Sequence, residues 1–393
     1  MTRYLIIHYG EIGLKKGNKS YFEDALKNNV NSVLGAIGVK GRVVILLSRL
    51  MVKLQKDFDK ELIRETLMHV PGIQNFGFYY CVDEKDLEKE IVARLPREEI
   101  VDRGDASFCV RVKKVQGEFA KNTPVMERDL GAALLTNDID LKVKMKGADR
   151  QIWVELIQDK AYFCYEKISA LGGLPAGTGG KLLSLISSGF DSPVASYMMM
   201  RRGARVHYIH FTGQPYTGRD ELEHVKEIVE ILAKYQGGAK LVVIPFGEIQ
   251  KKLSINTKVP ARDRVVLYRR LMFRIAQKVS VGLKARGIVT GESFGQVASQ
   301  TLMNMAVIDE ACRLPVFRPV IGMDKEQIIE MSRSIRTHDI SKLPCSDTCG
   351  LFMPKSPALA SKLPEIREVE ESIDIEGLVK EAFEGREVLK IGV

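Results

Sequence analysis

Four apolar runs in the second half of the chain, KLLSLI (181–186), ARVHYIHF (204–211), KLVVIPF (240–246) and GIVTG (287–291), limit its fold more than any other feature. Their hydrophobic character is nearly continuous rather than alternating, which is the pattern of strands covered on both faces. Helical stretches separate them. In RDELEHVKEIVEILAKYQGG (219–238), Leu222, Val225, Val229, Leu232 and Tyr235 fall along one face before Gly237. Strands alternating with helices predict a doubly wound parallel sheet, in which ligands sit beyond the carboxyl ends of the strands.

A chain of 393 residues exceeds what one hydrophobic core serves, and the residues before 170 follow a different rhythm. YLIIHY, a helical stretch closed by Gly38, RVVILLS, LMVKLQ, the helical KELIRETLMHVPG and QNFGFYYC give the order βαββαβ of a ferredoxin-like unit. A second small α/β unit follows, built from KDLEKEIVARL, ASFCVRVKK, TPVMERDLGAALLT, QIWVELI and KAYFCYEK. The glycine-rich SALGGLPAGTGGK (169–181) reads as a linker. It is not a Walker loop, because Pro175 and Leu182 stand where that pattern needs Gly and Ser or Thr. The expected domains are therefore 1–80, 81–168, a linker at 169–181, and 182–393.

Hydrophobic content of 45% with 28% charged residues is ordinary for a soluble globular chain, and no run approaches the roughly eighteen apolar residues a membrane span needs. The short apolar run at the N-terminus cannot serve as a signal-peptide core, so the expectation is a cytoplasmic protein without a membrane partner. Six cysteines are too few for a disulfide scaffold; Cys81, Cys109 and Cys164 sit singly in strand-like runs, and Cys345 and Cys349 form a close pair. The net charge is +9. Residues 1–56 carry ten Lys or Arg against three acids, and residues 251–286 carry eleven against Asp263. Two such stretches predict a polyanionic partner whose backbone phosphates supply affinity without sequence information.

Between KLLSLI and the next helix lies SSGFDS (187–192). Pro is favoured at a first helical position, so the helix is expected to start near Ser192 and Pro193, with Ser192 able to cap it. Gly189 allows a positive φ or the close approach of a ligand, so that successive N–H groups could converge on an anion at the helix's positive end. A plain strand-to-helix connection, with Asp191 as a structural cap, fits this hexapeptide equally well.

Longer stretches narrow the choice. SSGFDS resembles the Ser-Gly-Gly-x-Asp-Ser loop of the ATP pyrophosphatases, with Ser188 in place of the first glycine. YRRLMFRIA (268–276), TGESFGQVASQTLMNM (290–305), RPVIGMDKEQII (318–329), CGLFMPKSP (349–357) and the opening GEIGLKKGNKSYFEDAL are similar, in order and spacing, to the tRNA 4-thiouridine synthetases, also called tRNA sulfurtransferases. That resemblance implies an α/β and α+β multidomain chain: ferredoxin-like and THUMP RNA-binding domains, then a doubly wound ATP pyrophosphatase (PP-loop) domain. Some members carry an additional C-terminal rhodanese domain, and the form expected here is the one without it.

The resemblance also implies chemistry: adenylation of the C4 oxygen of uridine 8 in tRNA, then its replacement by sulfur from a cysteine persulfide, with sulfur supply to thiamine thiazole synthesis in some members. Carried over residue by residue, Leu185, Ile186, Ser187, Gly189, Ser192, His210, Phe211, Arg269, Gly291 and Gln300 contact ATP, with Lys325 as a further phosphate contact. Asp191 would position Mg²⁺ or the phosphates, and Cys349 would carry the sulfur. Cys345 is assigned as the resolving thiol from its proximity alone. A zinc or iron–sulfur centre would have to recruit His338 or distant Cys312, and no CxxC accompanies them, so no such metal is expected. The implied partners are tRNA, a cysteine desulfurase or other persulfide donor, and a second copy of the chain in a homodimer. Competing readings are another tRNA-adenylating PP-loop enzyme and a noncatalytic THUMP RNA-binding protein.

Overall fold

The computed structural model describes residues 3–96, 107–135, 141–344 and 352–392, and the chain divides into two compact units, Met1–Gly173 and Leu174–Val393. The first begins with β1 (Arg3–His8), α1 (Lys19–Ala36), β2 (Val43–Leu46), β3 (Arg49–Leu54), α2 (Lys60–Met68) and β4 (Asn75–Asp83), the βαββαβ order read from the sequence. It continues with α3 (Leu87–Ala93), β5 (Ser107–Gln116), α4 (Thr123–Leu135), β6 (Lys142–Val143), β7 (Arg150–Ile157), β8 (Lys160–Cys164) and β9 (Ile168–Ser169).

These strands form one sheet in the order β2-β3-β1-β4-β8-β7-β5-β6, with β9 also on β4. The two units read from the sequence share this sheet, which alternation does not reveal because it reports which face a residue takes, not which strand lies beside it. β4 joins them. It pairs with β1 from Asn75 to Tyr80 and with β8 from Tyr80 to Asp83, so the expected boundary between residues 80 and 81 falls inside a strand. Leu5 and Ile7 enter a core with Leu26, Val30 and Ile63, while Ile6 between them faces Met51, Tyr79 and Ile157.

Glu155 on β7 is a charged exception within this apolar setting, at 1% exposure. Its carboxylate lies 2.8 Å from His8 Nε2, 3.4 Å from Lys167 Nζ and 3.5 Å from Tyr79 Oη, and it also pairs with Arg49. Burial opposes its ionisation, but His8, Arg49 and Lys167 outweigh that and bring the carboxyl down to about 2.

The second unit contains β10 (Lys181–Leu185), α5 (Asp191–Arg201), β11 (Arg205–Thr212), α6 (Asp220–Ala233), β12 (Ala239–Pro245), α7 (Gly247–Ile255), α8 (Arg264–Leu283), β13 (Ile288–Val289), α9 (Leu302–Asp309), β14 (Val316–Phe317), α10 (Lys325–Ser334), α11 (His338–Ser341), α12 (Leu363–Glu371), α13 (Ile375–Glu384) and β15 (Glu387–Ile391). The sheet order is β14-β13-β10-β11-β12-β15. All pairings are parallel except that of β15, which runs antiparallel on β12 and adds an edge strand the sequence reading did not include. The chain steps from β10 outward to β12, then returns to place β13 on the other side of β10. That reversal is a topological switch point, where sheets of this kind leave a crevice. Val266, Phe273 and Ala276 of α8 pack beneath Leu183, Ile209 and Ile244 and anchor the sheet.

Part of the basic stretch 251–286 is neutralised within the fold. Arg270, 1% exposed, donates to Glu370 and Glu310 at 2.8 Å, and Arg274 reaches Glu370 at 2.5 Å. Lys252 meets Glu381 at 2.6 Å and Arg262 approaches Glu365 at 3.7 Å. The neutralising acids arrive from far along the chain, where a local charge count does not see them.

His207 of β11 is 9% exposed and its Nδ1 accepts from the Lys240 amide at 3.3 Å. Burial first, then Lys181, Arg205 and Lys240, push its pKa down from 6.5 to about 4. A group whose folded pKa is depressed keeps its native neutral form above the unfolded value, and stability is lost as pH falls toward the folded one. The second unit should therefore melt at progressively lower temperature between pH 6.5 and about 4, with a shallower decline in His207→Gln by scanning calorimetry. An unchanged decline would assign the acid sensitivity to another group.

Candidate functional site

The carboxyl ends of β10, β11 and β13 open at the switch point into a cavity of about 390 Å³, a size that suits a small ligand. Leu185, Ile186, Ser187, Asp191 and Ser192 line it from the turn, His210 and Phe211 from β11, Arg269 from α8, and Gly291 and Gln300 from the segment after β13. Gly189 and Lys325 are not in its wall. Lys325, on the first turn of α10, places Nζ 2.8 Å from Asp191 Oδ1 and 5.3 Å over the Phe190 ring.

The turn departs from two expectations. Helix α5 starts at Asp191, with Phe190 at the N-cap and no side chain capping it, so Ser192 is not the cap. Its Oγ instead accepts from the Ser187 amide at 2.9 Å and lies 3.1 Å from Ser187 Oγ, bracing the turn from within. Ser196 Oγ continues the brace, donating to Ser192 O at 2.8 Å, and lies 2.8 Å from Ser184 Oγ. The first-turn amides are therefore not consumed by a cap, the arrangement that receives an anion. Gly189 does not take a positive φ, and a Cβ there would meet only Ser187 Oγ at 3.7 Å. Ser188, the departure from the Gly-Gly pattern, is buried without a positive φ.

At Gly291 the close neighbour is backbone. A Cβ on it would lie 2.5 Å from Ser192 N and 2.7 Å from Asp191 C, so it is the protein's own backbone that passes close. Glu292, which sequence reasoning missed, is 3% exposed and holds Arg269 at 2.5 Å and Arg318 at 2.6 Å, with Thr290 Oγ1 at 2.9 Å. Burial works against its charge, but the two guanidiniums prevail and hold the carboxyl below its usual range. Its adjacency to Gly291 was the one available signal. Glu221 and Gln250 also line the cavity, and nothing in their local sequence marks them.

His210 Nδ1 lies 3.1 Å from Ile186 O, and Phe211 packs edge-on to Phe246 with centroids 5.4 Å apart. The buried polar atoms of the wall-lining side chains that lack a hydrogen-bond partner include Gln300 Oε1 and Arg269 Nε.

Cys345 and Cys349 lie outside the described residues. Met353, from the same CGLFMPKSP stretch, lines the cavity. Burial raises the thiols of Cys81, Cys109 and Cys312 and takes Cys164 up to about 12, leaving them poor sources of thiolate. A larger cavity of about 810 Å³ lies in the first unit, with Arg49, Lys113, Arg150, Trp153 and Lys167 in its wall and Lys167 Nζ 4.0 Å from the Trp153 ring. The smaller cavity, at the carboxyl ends of the parallel strands beside the 187–192 turn, is the nucleotide candidate.

A switch-point cavity fed by a serine-braced turn and an uncapped helix defines a nucleotide-binding α/β domain. Comparison with known proteins makes this particular. Residues 177–375 match the family described as "Thiamine biosynthesis protein (ThiI)", residues 4–77 the ThiI ferredoxin-like domain, and residues 81–166 the THUMP domain. The chain belongs to the ThiI family. It is 39% identical over 391 residues to a "Probable tRNA sulfurtransferase" of Moorella thermoacetica, covering 100% of this chain and 98% of that one. A protein of the same description from Alkaliphilus metalliredigens is 37% identical over 395 residues, at 100% and 99% coverage. Among solved structures, the chain is similar to a 4-thiouridine synthetase in an RNA complex with bound ATP, at 32% identity, TM-score 0.89 and 100% coverage of both chains. A Pyrococcus horikoshii Ot3 protein shares the fold, at 23% identity, TM-score 0.65 and coverage of 85% and 99%.

Proposed function

We propose that the chain is an ATP-dependent tRNA sulfurtransferase that adenylates the C4 oxygen of uridine 8 and replaces it with sulfur, giving 4-thiouridine. The observation that carries this reading is the convergence, in one cavity at the switch point, of the uncapped turn with Arg269, Gln300 and the strand end at His210 and Phe211. The full-length likeness to an ATP-bound 4-thiouridine synthetase supports it.

ATP would lay its pyrophosphate on the amides of 187–192, with Arg269 and Lys325 supplying positive charge and Gln300 an acceptor. The adenine would meet the strand end at His210 and Phe211. Mg²⁺ is held in such sites by one or two carboxylates and the phosphates themselves, and Asp191 offers a carboxylate for it. A uridine carbonyl is a poor electrophile because oxide is a bad leaving group, and adenylation converts that oxygen into a leaving phosphate. In the proposed sulfur step, the outer sulfur of a Cys349 persulfide forms a bond to C4 while AMP departs with the C–O electron pair. The Cys345 thiolate then attacks Cys349 Sγ, forming a disulfide and leaving the sulfur on the base, and a two-electron thiol reductant restores both cysteines.

The ferredoxin-like and THUMP halves would hold the acceptor arm by its backbone, to which the cation- and aromatic-lined cavity of the first unit is suited. We assign the domain limits, the homodimer, the cytoplasmic setting, the desulfurase partner and sulfur supply to thiamine to the same proposal. Formation of AMP and pyrophosphate that depends on tRNA, with thiouridine in the RNA when a persulfide donor is added, tests the whole reading. AMP without thiouridine would indicate a different adenylating enzyme, and neither product a binding module. Cys349→Ser is expected to reduce persulfide-dependent thiolation at least a hundredfold while leaving ATP binding intact; unchanged thiolation removes Cys349 from the mechanism.

A further inference from the structure

The segment that closes the nucleotide cavity after β13 carries an aromatic ring that none of the chemistry above uses. Thr290, Gly291 and Glu292 line the cavity on one side of it, and Gln296 to Gln300 line it on the other. Phe294, between these two groups, is 58% exposed, which places its ring at the rim rather than in the wall. Among the described residues no aromatic ring and no cation packs against it.

This ring does not stand on a slack loop. Phe294 N donates to Ile321 O at 3.0 Å, Gly295 N to Gln300 O at 3.0 Å, and Gln296 N to Ser293 O at 3.3 Å. Ser293 Oγ donates to Met323 O at 3.0 Å. Gly295 turns the chain with φ +74°, a conformation that side-chain-bearing residues rarely adopt. Gln296 Nε2 lies 3.4 Å from Asp191 Oδ2, so the same segment touches the start of α5. Val297, likewise 52% exposed, extends the apolar rim beside it.

A large apolar ring held rigidly in water at the mouth of a polar cavity is poised to be covered when a ligand arrives. What must arrive there, on the function proposed above, is a pyrimidine taken out of the RNA stack, because its carbonyl oxygen has to reach the α-phosphorus of a nucleotide lying deeper in the cavity. Unstacked bases are recognised by aromatic side chains offering a face to the ring. A protein partner would need a broader surface than this narrow rim provides.

We propose that Phe294 is the stacking platform for the target uridine, holding the displaced base flat against the cavity mouth while its oxygen faces the nucleotide. This inference rests on the tRNA sulfurtransferase reading. It assigns Phe294 to the RNA substrate and not to ATP, although the residues on either side of it line the nucleotide cavity.

The test uses the full chain with unmodified tRNA, saturating ATP and a persulfide donor. Phe294→Ala should lower kcat/KM for tRNA roughly ten- to a hundredfold, the range that base–aromatic stacking spans. Phe294→Tyr should restore it to within about threefold, and ATP affinity measured by calorimetry without RNA should stay within about twofold in both variants. Wild-type tRNA kinetics in Phe294→Ala would overturn the proposal, as would an equal loss of RNA-free ATP affinity, which would make the ring a structural part of the nucleotide cavity. Failure of the underlying reading looks different: the unaltered chain would then form no thiouridine at all.

Discussion

Replacing Glu155 by alanine should lower the melting temperature of the first unit by roughly 10 °C. The carboxylate is 1% exposed and serves Arg49, His8 and Lys167 together, so its removal leaves the Arg49 and Lys167 cations, with His8, facing an emptied site. Removing one partner from a buried ion pair costs about 3–5 kcal/mol, because the remaining charge stays desolvated without compensation. For a unit of this size each kcal/mol moves the transition by about 2–4 °C. The effect has a pH signature. The Glu155 pKa is depressed from 4.5 to about 2, so its contribution is complete above pH 4.5 and disappears as pH falls toward about 2. Calorimetry across that window should show the parent protein losing stability that Glu155→Ala never had, so the two curves converge in acid. Glu155→Gln, which keeps shape and hydrogen bonding, should fall between them. A melting point for Glu155→Ala within about 2 °C of the parent at neutral pH would show that water in the adjoining cavity already screens these charges.

The second large effect is on activity, at Gly291. A methyl group there would meet three backbone atoms of Asp191 and Ser192 at 2.5–2.7 Å, and none of them is the flexible end of a side chain. The segment after β13 and the start of α5 must then move apart, widening the cavity where the phosphates are proposed to lie. Displacements of this order in a reacting geometry cost about a hundredfold in rate. Gly291→Ala should therefore lose at least tenfold in ATP affinity by titration calorimetry and about a hundredfold in tRNA-dependent AMP release. Overpacking of this kind costs about 1–3 kcal/mol in stability, so the fold should survive to be measured. Gly282→Ala on α8, where a methyl group meets nothing within 4 Å, is the matched control and should be silent. Normal ATP affinity in Gly291→Ala would separate the cavity from nucleotide binding.

Some of this was legible in the sequence and some was not, for reasons that differ residue by residue. The apolar runs at 181–186, 204–211 and 240–246 announce their strands because a doubly covered strand needs continuous hydrophobicity, and their carboxyl ends place the site. The turn at 187–192 was recognisable by composition, but not the internal bonding of Ser192, since a serine before a helix reads as a cap whichever way its hydroxyl turns. Gly291 could be marked as a close-approach position without revealing that the approaching atoms belong to Asp191 and Ser192. Glu292 escaped because one acid among polar neighbours carries no pattern; only the fold shows that Arg269 and Arg318 converge on it. Part of the charge at 251–286 is neutralised by Glu310, Glu365, Glu370 and Glu381, which lie on elements that a sequence window does not join to it.

The continuous pairing along β4 bears on how the first unit would behave as material for engineering. Its two ends belong to different neighbours, β1 from Asn75 to Tyr80 and β8 from Tyr80 to Asp83, so any cut between residues 75 and 83 divides one strand between two pieces. A THUMP fragment beginning at residue 81 would keep the pairings of Cys81, Val82 and Asp83 with β8 but surrender that of Tyr80, and its β9 would lose its partners Asn75 and Phe76, which stay on the other piece. Anyone transplanting this RNA-holding module to another enzyme should therefore move residues 3–169 as a single block, which keeps β4 whole and β9 on its partner.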